Sequence, residues 1–392
     1  MRQRTLMGLL GAAVTTNSAA NTMALTLVPL QAVDLGASPA VIGALAASLS
    51  LLPMLLALRT GSWIDRLGPR AGMIAASLLL ALSPLSVLVH PGVAALFVTE
   101  VLLGLGNLLA VLASQAFTAS AGDADRHEGN FGWYTSYVAA GQVAGPLLAG
   151  LVAQWHGYPP AFAATSAMAL ASMAITWALP EVHPPAAAGG ASGGLSGPAR
   201  MRSLLTVPGV QLAVVFTFSI AFAQSVFSSF FPVILQAAGM TAALIGALLS
   251  LRAVVSTILR PFLPALVARL GNRRTALVAM VALMALGTVV LAASQALAVA
   301  VLVSAIVGIA WGLAPPLSIV MVVAGAAEAE VGFALGARFT VNRLAQLLGP
   351  LAIGLVADGL SLRAGFLACG GLVAASLGYL RVPAARARAR AD

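Results

Sequence analysis

Charged residues are scarce in this sequence. Only 8% of its 392 residues are charged, against about a quarter in an average soluble domain, and lysine is absent. The single cysteine, Cys369, stands in an apolar run and has no second cysteine to pair with. Neither a phosphate-binding loop of the type G-x-x-x-x-G-K-[ST] nor a cluster of histidine, cysteine and acidic residues occurs. These gaps argue against direct coupling to ATP, against an enzyme, and against a metal or other cofactor.

Apolar residues dominate the chain instead. They make up 60% of it and run in stretches that approach or exceed the ~20 residues a helix needs to cross a bilayer. Helices are favoured because every backbone amide must be satisfied internally in lipid. The breaks between the runs predict twelve spans, near residues 5–32, 39–62, 71–90, 93–120, 131–153, 161–179, 208–236, 241–266, 275–294, 296–324, 332–357 and 364–381. We therefore expect an all-α membrane protein with twelve transmembrane helices.

The net charge of +9 reflects twenty arginines against eleven acidic residues. Most arginines fall in alternate loops or near the chain ends: Arg2, Arg4, Arg66, Arg70, Arg126, Arg200, Arg202, Arg269, Arg273, Arg274, Arg386, Arg388 and Arg390. Positive loops stay on the cytoplasmic side, so this pattern predicts cytoplasmic termini in a bacterial inner membrane. It is not the clustered patch of a nucleic-acid-binding protein. The length of the first segment, and its counterpart later in the chain, favour a retained span over a cleaved signal peptide.

The second half of the chain repeats the first. At an offset of 203 residues the matched pairs include Pro29 with Pro232, Gly36 with Gly239, and Gly68 with Gly271. At an offset of 204, GPLLAGLVA at 145–153 aligns with GPLAIGLVA at 349–357. Two six-span halves with the same orientation imply a pseudo-twofold axis along the membrane normal, with a binding site between them. The predicted domains are a bundle at 1–179, a cytoplasmic linker rich in Gly, Ser and Pro at 180–207, and a bundle at 208–392 with a short basic tail.

The segment between spans 2 and 3 carries a specific motif, formed by Gly61, Asp65, Arg66, Gly68 and Arg70. The glycine permits a tight turn, the carboxylate suits exposed amides at a helix N-terminus, and the arginines suit the cytoplasmic interface. The pattern G-x-x-x-D-R-x-G-x-R resembles the most specific motif of the major facilitator superfamily, and the resemblance covers essentially the whole chain. It implies that these five residues act as a cytoplasmic latch that forms and breaks as the two halves rock.

A second copy of this motif stands in the other half, with Arg269, Gly271 and Arg273 at the matching positions. This copy lacks the carboxylate. The resemblance to the superfamily therefore implies that the first copy, which has it, is the working latch.

Span 5 carries Gly141, Gly145 and Pro146 in the pattern G-x-x-x-G-P. Small residues at four-residue spacing let a partner helix approach closely, and the proline favours a bend, so plain helix packing explains the pattern. The pattern also resembles the span-5 motif of the superfamily's antiporters, which favours proton-coupled export. The same Gly-Pro pair recurs at Gly349 and Pro350 in span 11, which indicates that the pattern also serves helix packing in general.

Glu100 is the only carboxylate clearly inside a predicted span. Ionisable groups in the membrane are costly, and burial favours the protonated carboxyl, so Glu100 is the candidate for proton coupling. The alternatives are a permanent pairing with an arginine or a place near the outer mouth. Many antiporters of the superfamily have arginine at the equivalent position, ahead of glycines that resemble Gly104 and Gly106, so an arginine-based mechanism is in doubt here.

Other polar and aromatic residues within the spans are candidates for substrate contact. Arg252 and Arg343 suit an anionic substrate, or alternatively backbone carbonyls or Glu100. By resemblance, spans 1, 4, 7 and 10 line the pathway, which adds candidates in spans 1, 7 and 10: Asn17, Asn21, Gln224, Phe227 and Trp311. Packing is the ordinary role of such aromatic residues.

The expected function is secondary active transport of a small organic solute by alternating access, as a proton-coupled exporter of drug-like or amphipathic compounds. The alternative within this class is proton-coupled transport of an anionic metabolite through the intramembrane arginines. The expected partners are the substrate, protons and lipid, with the protein acting as a monomer. A channel, a receptor and a membrane-embedded enzyme fit the sequence less well.

Overall fold

The computed structural model of the protein describes residues 3–120, 127–182, 208–325 and 331–380. Most of the predicted linker and all but the start of the predicted tail lie outside these ranges, as do Arg2, Arg126, Arg200, Arg202, Arg386, Arg388 and Arg390. Every regular element in the described ranges is helical, as the composition predicts.

The first half of the chain forms six helices. They are α1 (Gln3–Asp34), α2 (Pro39–Leu67), α3 (Pro69–Val89), α4 (Val93–Ser120), α5 (His127–His156) and α6 (Tyr158–Trp177). The second half forms α7 (Pro208–Ala237), α8 (Ala242–Leu259), a 3₁₀ turn (Arg260–Phe262), α9 (Leu263–Arg269), α10 (Arg273–Ala293), α11 (Leu297–Gly325), α12 (Val331–Gly359), α13 (Leu362–Ser376) and a final 3₁₀ turn (Leu377–Leu380). Each of the twelve predicted spans coincides with a helix or, for span 8, with α8 and α9 together.

Ten helical stretches in the described part of the chain are long and apolar enough to cross a membrane, with α8 and α9 counted as one. The other two predicted spans coincide with α1 and α13. Helix α1 is 32 residues long but rich in threonine, asparagine and serine, and α13 has only 15 residues. The protein is therefore a multi-pass membrane protein.

Many large apolar side chains point away from the protein. Leu55 is 63% exposed and Leu355 is 66% exposed, although both lie within long helices. A water-soluble surface rarely presents so many contiguous apolar groups, whereas the hydrocarbon core of a bilayer favours them.

The helix starts repeat with a constant offset. Helix α10 starts 204 residues after α3, α11 starts 204 after α4, and α13 starts 204 after α6. The packing repeats as well, because α3 contacts α4 and α6 in the first half while α10 contacts α11 and α13 in the second. The internal repeat of the sequence is thus also a repeat of structure.

The contacts divide the chain into two compact units. The first unit comprises Met1–Gly190 and Pro232–Ala253, and the second comprises Ala191–Phe231 and Val254–Asp392. In the first unit α1 packs on α5 and α6, and α2 packs on α4.

The predicted span 8 is not one continuous helix. Helix α8 ends at Leu259, and the 3₁₀ turn at Arg260–Phe262 separates it from α9. The predicted span over 241–266 is confirmed as one apolar stretch that could cross a membrane, Ala242–Arg269, and the break within it falls at Pro261. Proline lacks an amide hydrogen and its ring clashes with the preceding turn.

Candidate functional site

A cavity of about 230 Å³ lies within the first unit. Its wall includes four side-chain amides, one pair from α1 and one each from α4 and α5: Asn17, Asn21, Asn107 and Gln142. It also includes the hydroxyls of Ser18, Ser77, Ser114, Tyr134 and Ser172. The remaining lining residues are apolar, and none of the lining residues is charged. We call this space the carboxamide cavity.

The serine hydroxyls of the cavity are already used within the protein. Ser18 Oγ donates to the carbonyl oxygen of Val138 at 2.9 Å, and Ser172 Oγ donates to that of Ala13 at 2.9 Å. Ser114 Oγ donates to a carbonyl one turn back on α4. These bonds hold α1, α5 and α6 together, and they use the hydroxyl hydrogens, so that the oxygens can only accept from a ligand.

Asn17 belongs to the same internal network. Its Nδ2 donates to Ser77 Oγ at 3.1 Å, and Ser77 Oγ donates to Ser172 Oγ at 3.3 Å. The predicted substrate candidate Asn17 therefore lines the cavity, with one of its amide hydrogens committed to α3.

The other three amides are open. Asn21, Asn107 and Gln142 make no side-chain hydrogen bond to any residue that the structure describes, and the Oδ1 atom of Asn21 is buried. A carboxamide offers two donors and an acceptor with two lone pairs. Three such groups facing one cavity can bind a molecule with complementary donors and acceptors.

The sequence-based prediction missed Asn107 and Gln142. Both carry a signal in the sequence: each is a carboxamide in an apolar span, Asn107 three residues after Gly104 and Gln142 directly after Gly141. Asn107 and Gln142 are neutral, and they are less conspicuous in the sequence than the charge in span 4 and the glycines in span 5.

Glu100 lies two helical turns from Asn107 on α4 and is 3% exposed. It makes no hydrogen bond or ion pair with another described residue, and its Oε2 atom is buried without a partner. Within the first unit, the alternative of a permanent ion pair between Glu100 and Arg252 therefore has no support. Glu100 is not among the residues that line the cavity.

Four of the predicted substrate candidates belong to the second unit: Gln224, Phe227, Trp311 and Arg343. Gln224 is 8% exposed and its Nε2 has no partner among the described residues. The ring of Phe227 stacks on Phe231, with centroids 4.3 Å apart. The second unit therefore contains its own buried polar and aromatic groups on α7.

The intramembrane arginines differ in their surroundings. Arg338 donates to Ser318 Oγ and to the carbonyl oxygen of Pro315, so it ties α12 to α11. Arg343 donates to Gln346 Oε1 at 3.1 Å and lies over the ring of Phe339, while its Nε is buried without a partner. Arg252, on α8, is partly buried. Arg343 keeps donor capacity for an anion at its Nε.

The motif between spans 2 and 3 is more helical than predicted. Helix α2 continues to Leu67, so Asp65 and Arg66 stand exposed in its last turn instead of in a loop. The whole connection is Gly68, with φ of +87°, and α3 starts at the next residue. Span 2 was predicted to end near residue 62, and the helix continues past it because nothing between Gly61 and Gly68 breaks a helix. The expected tight turn at Gly68 is present.

Arg70 fixes this turn to the end of α6. Its guanidinium donates to the carbonyl oxygen of Trp177 at 2.6 Å and lies 3.4 Å from Glu181 Oε1. The carbonyls of the last helical turn have no partner within the helix, which makes them good acceptors for a cation. In the second copy, Arg269 ends α9, Gly271 has φ of +85°, and Arg273 starts α10.

Gly141 and Gly145 allow α5 to pack against α1. A side chain at Gly141 would lie 2.5 Å from the carbonyl oxygen of Thr15, and one at Gly145 would lie 2.6 Å from that of Ala19. The contact recurs in the second unit, where a side chain at Gly349 would lie 2.9 Å from the carbonyl oxygen of Phe222. Because both copies make the same contact, the pattern serves helix packing in each half.

A further close contact in the first unit joins the second half of α5 to the start of α8. A side chain at Gly246 would collide with the carbonyl oxygen of Pro146, so the two backbones touch there. Ser250 Oγ donates to the carbonyl oxygen of Val143 at 2.7 Å. Nearby, Gln236 Nε2 donates to Asp34 Oδ1 at 2.6 Å. We call this contact the α5–α8 seam.

No group of three or more histidine, cysteine or acidic residues in the described ranges could hold a metal ion. What the fold presents is a bundle of apolar helices around an uncharged polar cavity, which is the architecture of a membrane transporter. The family model of the Major Facilitator Superfamily matches residues 10–224 and again residues 213–392. The chain belongs to the Major Facilitator Superfamily and is a transporter, not an enzyme.

Solved structures of known transporters share the fold over nearly their full length. The nucleoside transporter NupG is 16% identical, with a TM-score of 0.79 over 96% of this chain and 99% of its own. A peptide transporter, POT, is 16% identical, with a TM-score of 0.78 over 98% and 94%. A bacterial homologue of the human lysosomal transporter Spinster is 14% identical, with a TM-score of 0.75 over 98% and 95%. No curated protein matches the sequence significantly.

Proposed function

We propose that the protein is a secondary active transporter that moves a small organic solute across the bacterial cytoplasmic membrane by alternating access. In this proposal twelve helices span the membrane, both termini lie in the cytoplasm, and the chain acts as a monomer. The observation that carries the proposal is the carboxamide cavity, because Asn21, Asn107 and Gln142 leave hydrogen-bonding groups open inside an apolar bundle. Unpaired polar atoms are rare in protein interiors, and the buried Oδ1 of Asn21 is one of them.

Proton coupling through Glu100 is the second part of the proposal. A buried carboxyl without an ionic partner is most favourable when protonated, and deprotonation requires access to water. A conformational change that opens the first unit would give Glu100 that access. The direction we propose is export, on the resemblance of Gly141, Gly145 and Pro146 to the antiporter pattern.

The latch role of the span 2–3 motif fits its exposure. Asp65 and Arg66 hydrogen-bond to no other described residue and face outward at the predicted cytoplasmic end, where a second helix end could meet them. Arg70 holds the turn against α6 so that the acidic and basic groups are presented on a fixed turn. We assign gating at that end to this motif, with the second copy around Gly271 in a supporting role.

The opposite gate is the α5–α8 seam. It joins the predicted N-terminal bundle to the first part of the predicted C-terminal bundle through Gly246 and Ser250. Small residues and single hydrogen bonds make such a contact both close and separable. Opening the seam would expose the cavity to the side away from the motif.

Within this class, a drug-like or amphipathic substrate and an anionic metabolite remain the two candidates. The apolar lining around the amides favours the first. The buried Nε of Arg343 favours the second, because a guanidinium with spare donors suits a carboxylate or phosphate. The names of the similar structures, which include nucleoside and peptide transporters, support transport of organic solutes in general.

The experiment is counterflow in proteoliposomes that contain the purified protein. Vesicles loaded with unlabelled solute should transiently concentrate external labelled solute, with saturation, because a carrier exchanges one molecule for another. Drug cations, organic anions and uncharged solutes are compared, and empty liposomes are the control. Linear, non-saturable flux without counterflow would identify a channel and refute the proposal.

A further inference from the structure

We infer that the carboxamide cavity binds an uncharged, ring-sized solute that presents both hydrogen-bond donors and acceptors. The inference rests on the proposed function and names its substrate class. It is carried by three open amides, by the absence of charge from the cavity wall, and by the size of the cavity.

The open amides set the hydrogen-bonding pattern. Asn21, Asn107 and Gln142 come from α1, α4 and α5, so their groups converge on the cavity from three directions. The Oδ1 of Asn21 is buried and lacks a donor. The neighbouring Ser18 and Ser172 hydroxyls donate to backbone carbonyls. A solute must therefore satisfy amides, which both donate and accept, so it needs hydroxyl, carboxamide or ring-nitrogen groups.

The cavity wall excludes ions. No lining residue carries a charge, and the buried Glu100 lies two turns along α4, outside the lining. An ion that enters an uncharged cavity loses hydration without gaining a countercharge, and this cost is much larger than that of a neutral polar group. A cation and an anion are therefore both disfavoured.

The size and the apolar walls define the rest of the solute. The cavity has a volume of about 230 Å³. Val14, Met73 and Val111 provide apolar surface beside the amides. One ring with polar substituents, of the size of a hexose or a nucleobase, fits this space and matches its mixed polar and apolar lining.

The test compares solutes that differ in charge on one scaffold. Binding of glucose, glucosamine and glucuronate, and of uracil and its carboxylate orotate, is measured by thermal shift and calorimetry on the full-length protein in nanodiscs. We expect at least one uncharged member to bind, and its charged partners to bind at least tenfold more weakly. Asn107→Leu and Gln142→Met should each weaken that binding by roughly threefold to tenfold, the value of one hydrogen bond. Gln295→Met makes the same chemical change outside the cavity and should leave binding unchanged.

A further variant keeps the test decisive if replacement of an amide by an apolar side chain impairs folding. Gln142→Glu places a carboxylate in the cavity and should shift preference from glucose toward glucosamine. The inference is overturned if a charged member binds better than its neutral partner, if no uncharged member binds, or if Asn107→Leu and Gln142→Met both leave affinity unchanged. Binding of a neutral solute without its counterflow would instead refute the proposed transport and leave the inference intact. Counterflow of charged solutes alone would refute the inference and leave the proposed transport intact.

Discussion

Replacing Glu100 by glutamine tests the coupling mechanism. Glu100 is the only acidic side chain that is buried in the described part of the chain. A single carboxyl carries one proton per cycle. A gradient of one pH unit stores about 1.4 kcal/mol per proton, which corresponds to about a tenfold concentration ratio. We therefore expect the wild-type protein to build a solute gradient of up to about tenfold per pH unit.

Glu100→Gln keeps the size and shape of the side chain but removes the titrating group. This variant should not accumulate solute, so that the concentration ratio stays at about one, while its counterflow at equal pH continues. The assay is uptake of labelled solute into proteoliposomes under an imposed pH gradient, beside counterflow in the same vesicles. Asp358→Asn, the same kind of change at an exposed carboxylate, should keep the tenfold gradient. If Glu100→Gln still accumulated solute about tenfold, coupling would reside elsewhere and the assignment of Glu100 would be wrong.

Three further outcomes are expected. Gly145→Val should destabilise the protein by about 1–3 kcal/mol because its side chain collides with α1. The control Gly8→Val meets open space and should leave the unfolding temperature nearly unchanged. Equal effects of the two variants would refute the packing argument. Arg70→Gln should slow transport and should lower the free energy of unfolding by about 1–3 kcal/mol, since it removes the charged hydrogen bond to Trp177 and the exposed ion pair with Glu181. Unchanged transport would remove the motif from gating. Gly246→Leu should force the α5–α8 seam apart and raise the labelling of Asn21→Cys by impermeant maleimide from outside, and unaltered labelling would contradict that gate.

Helix boundaries follow from the sequence where its breakers are strong. Glycines with positive φ at Gly36, Gly68 and Gly271 end helices where apolar runs end, and prolines such as Pro39 and Pro69 start the next helix. Because these glycines and prolines recur at an offset of about 204 residues, the sequence predicts that the helices of the first half repeat in the second. The break inside the eighth span escaped prediction because many prolines in this fold, including Pro53, leave their helices continuous.

The candidate site was only partly predictable. Asn17 and Asn21 stood out because their four-residue spacing puts them on one helical face, and both line the cavity. Asn107 and Gln142 are single polar residues in long apolar runs, and which face of a span meets a cavity depends on packing against other helices. The same packing uses the serine hydroxyls for backbone carbonyls, and no sequence pattern distinguishes a committed hydroxyl such as that of Ser172 from a free one.

The most direct test of alternating access is the two-sided accessibility of one position in the cavity. Asn107→Cys, in a chain whose native cysteine is removed by Cys369→Ser, is labelled with membrane-impermeant maleimide added to either face of oriented vesicles. We expect reaction from both faces, slowed on each face by a transported solute, because one cavity opens to each side in turn. Reaction from a single face under every condition, without protection by solute, would contradict alternating access.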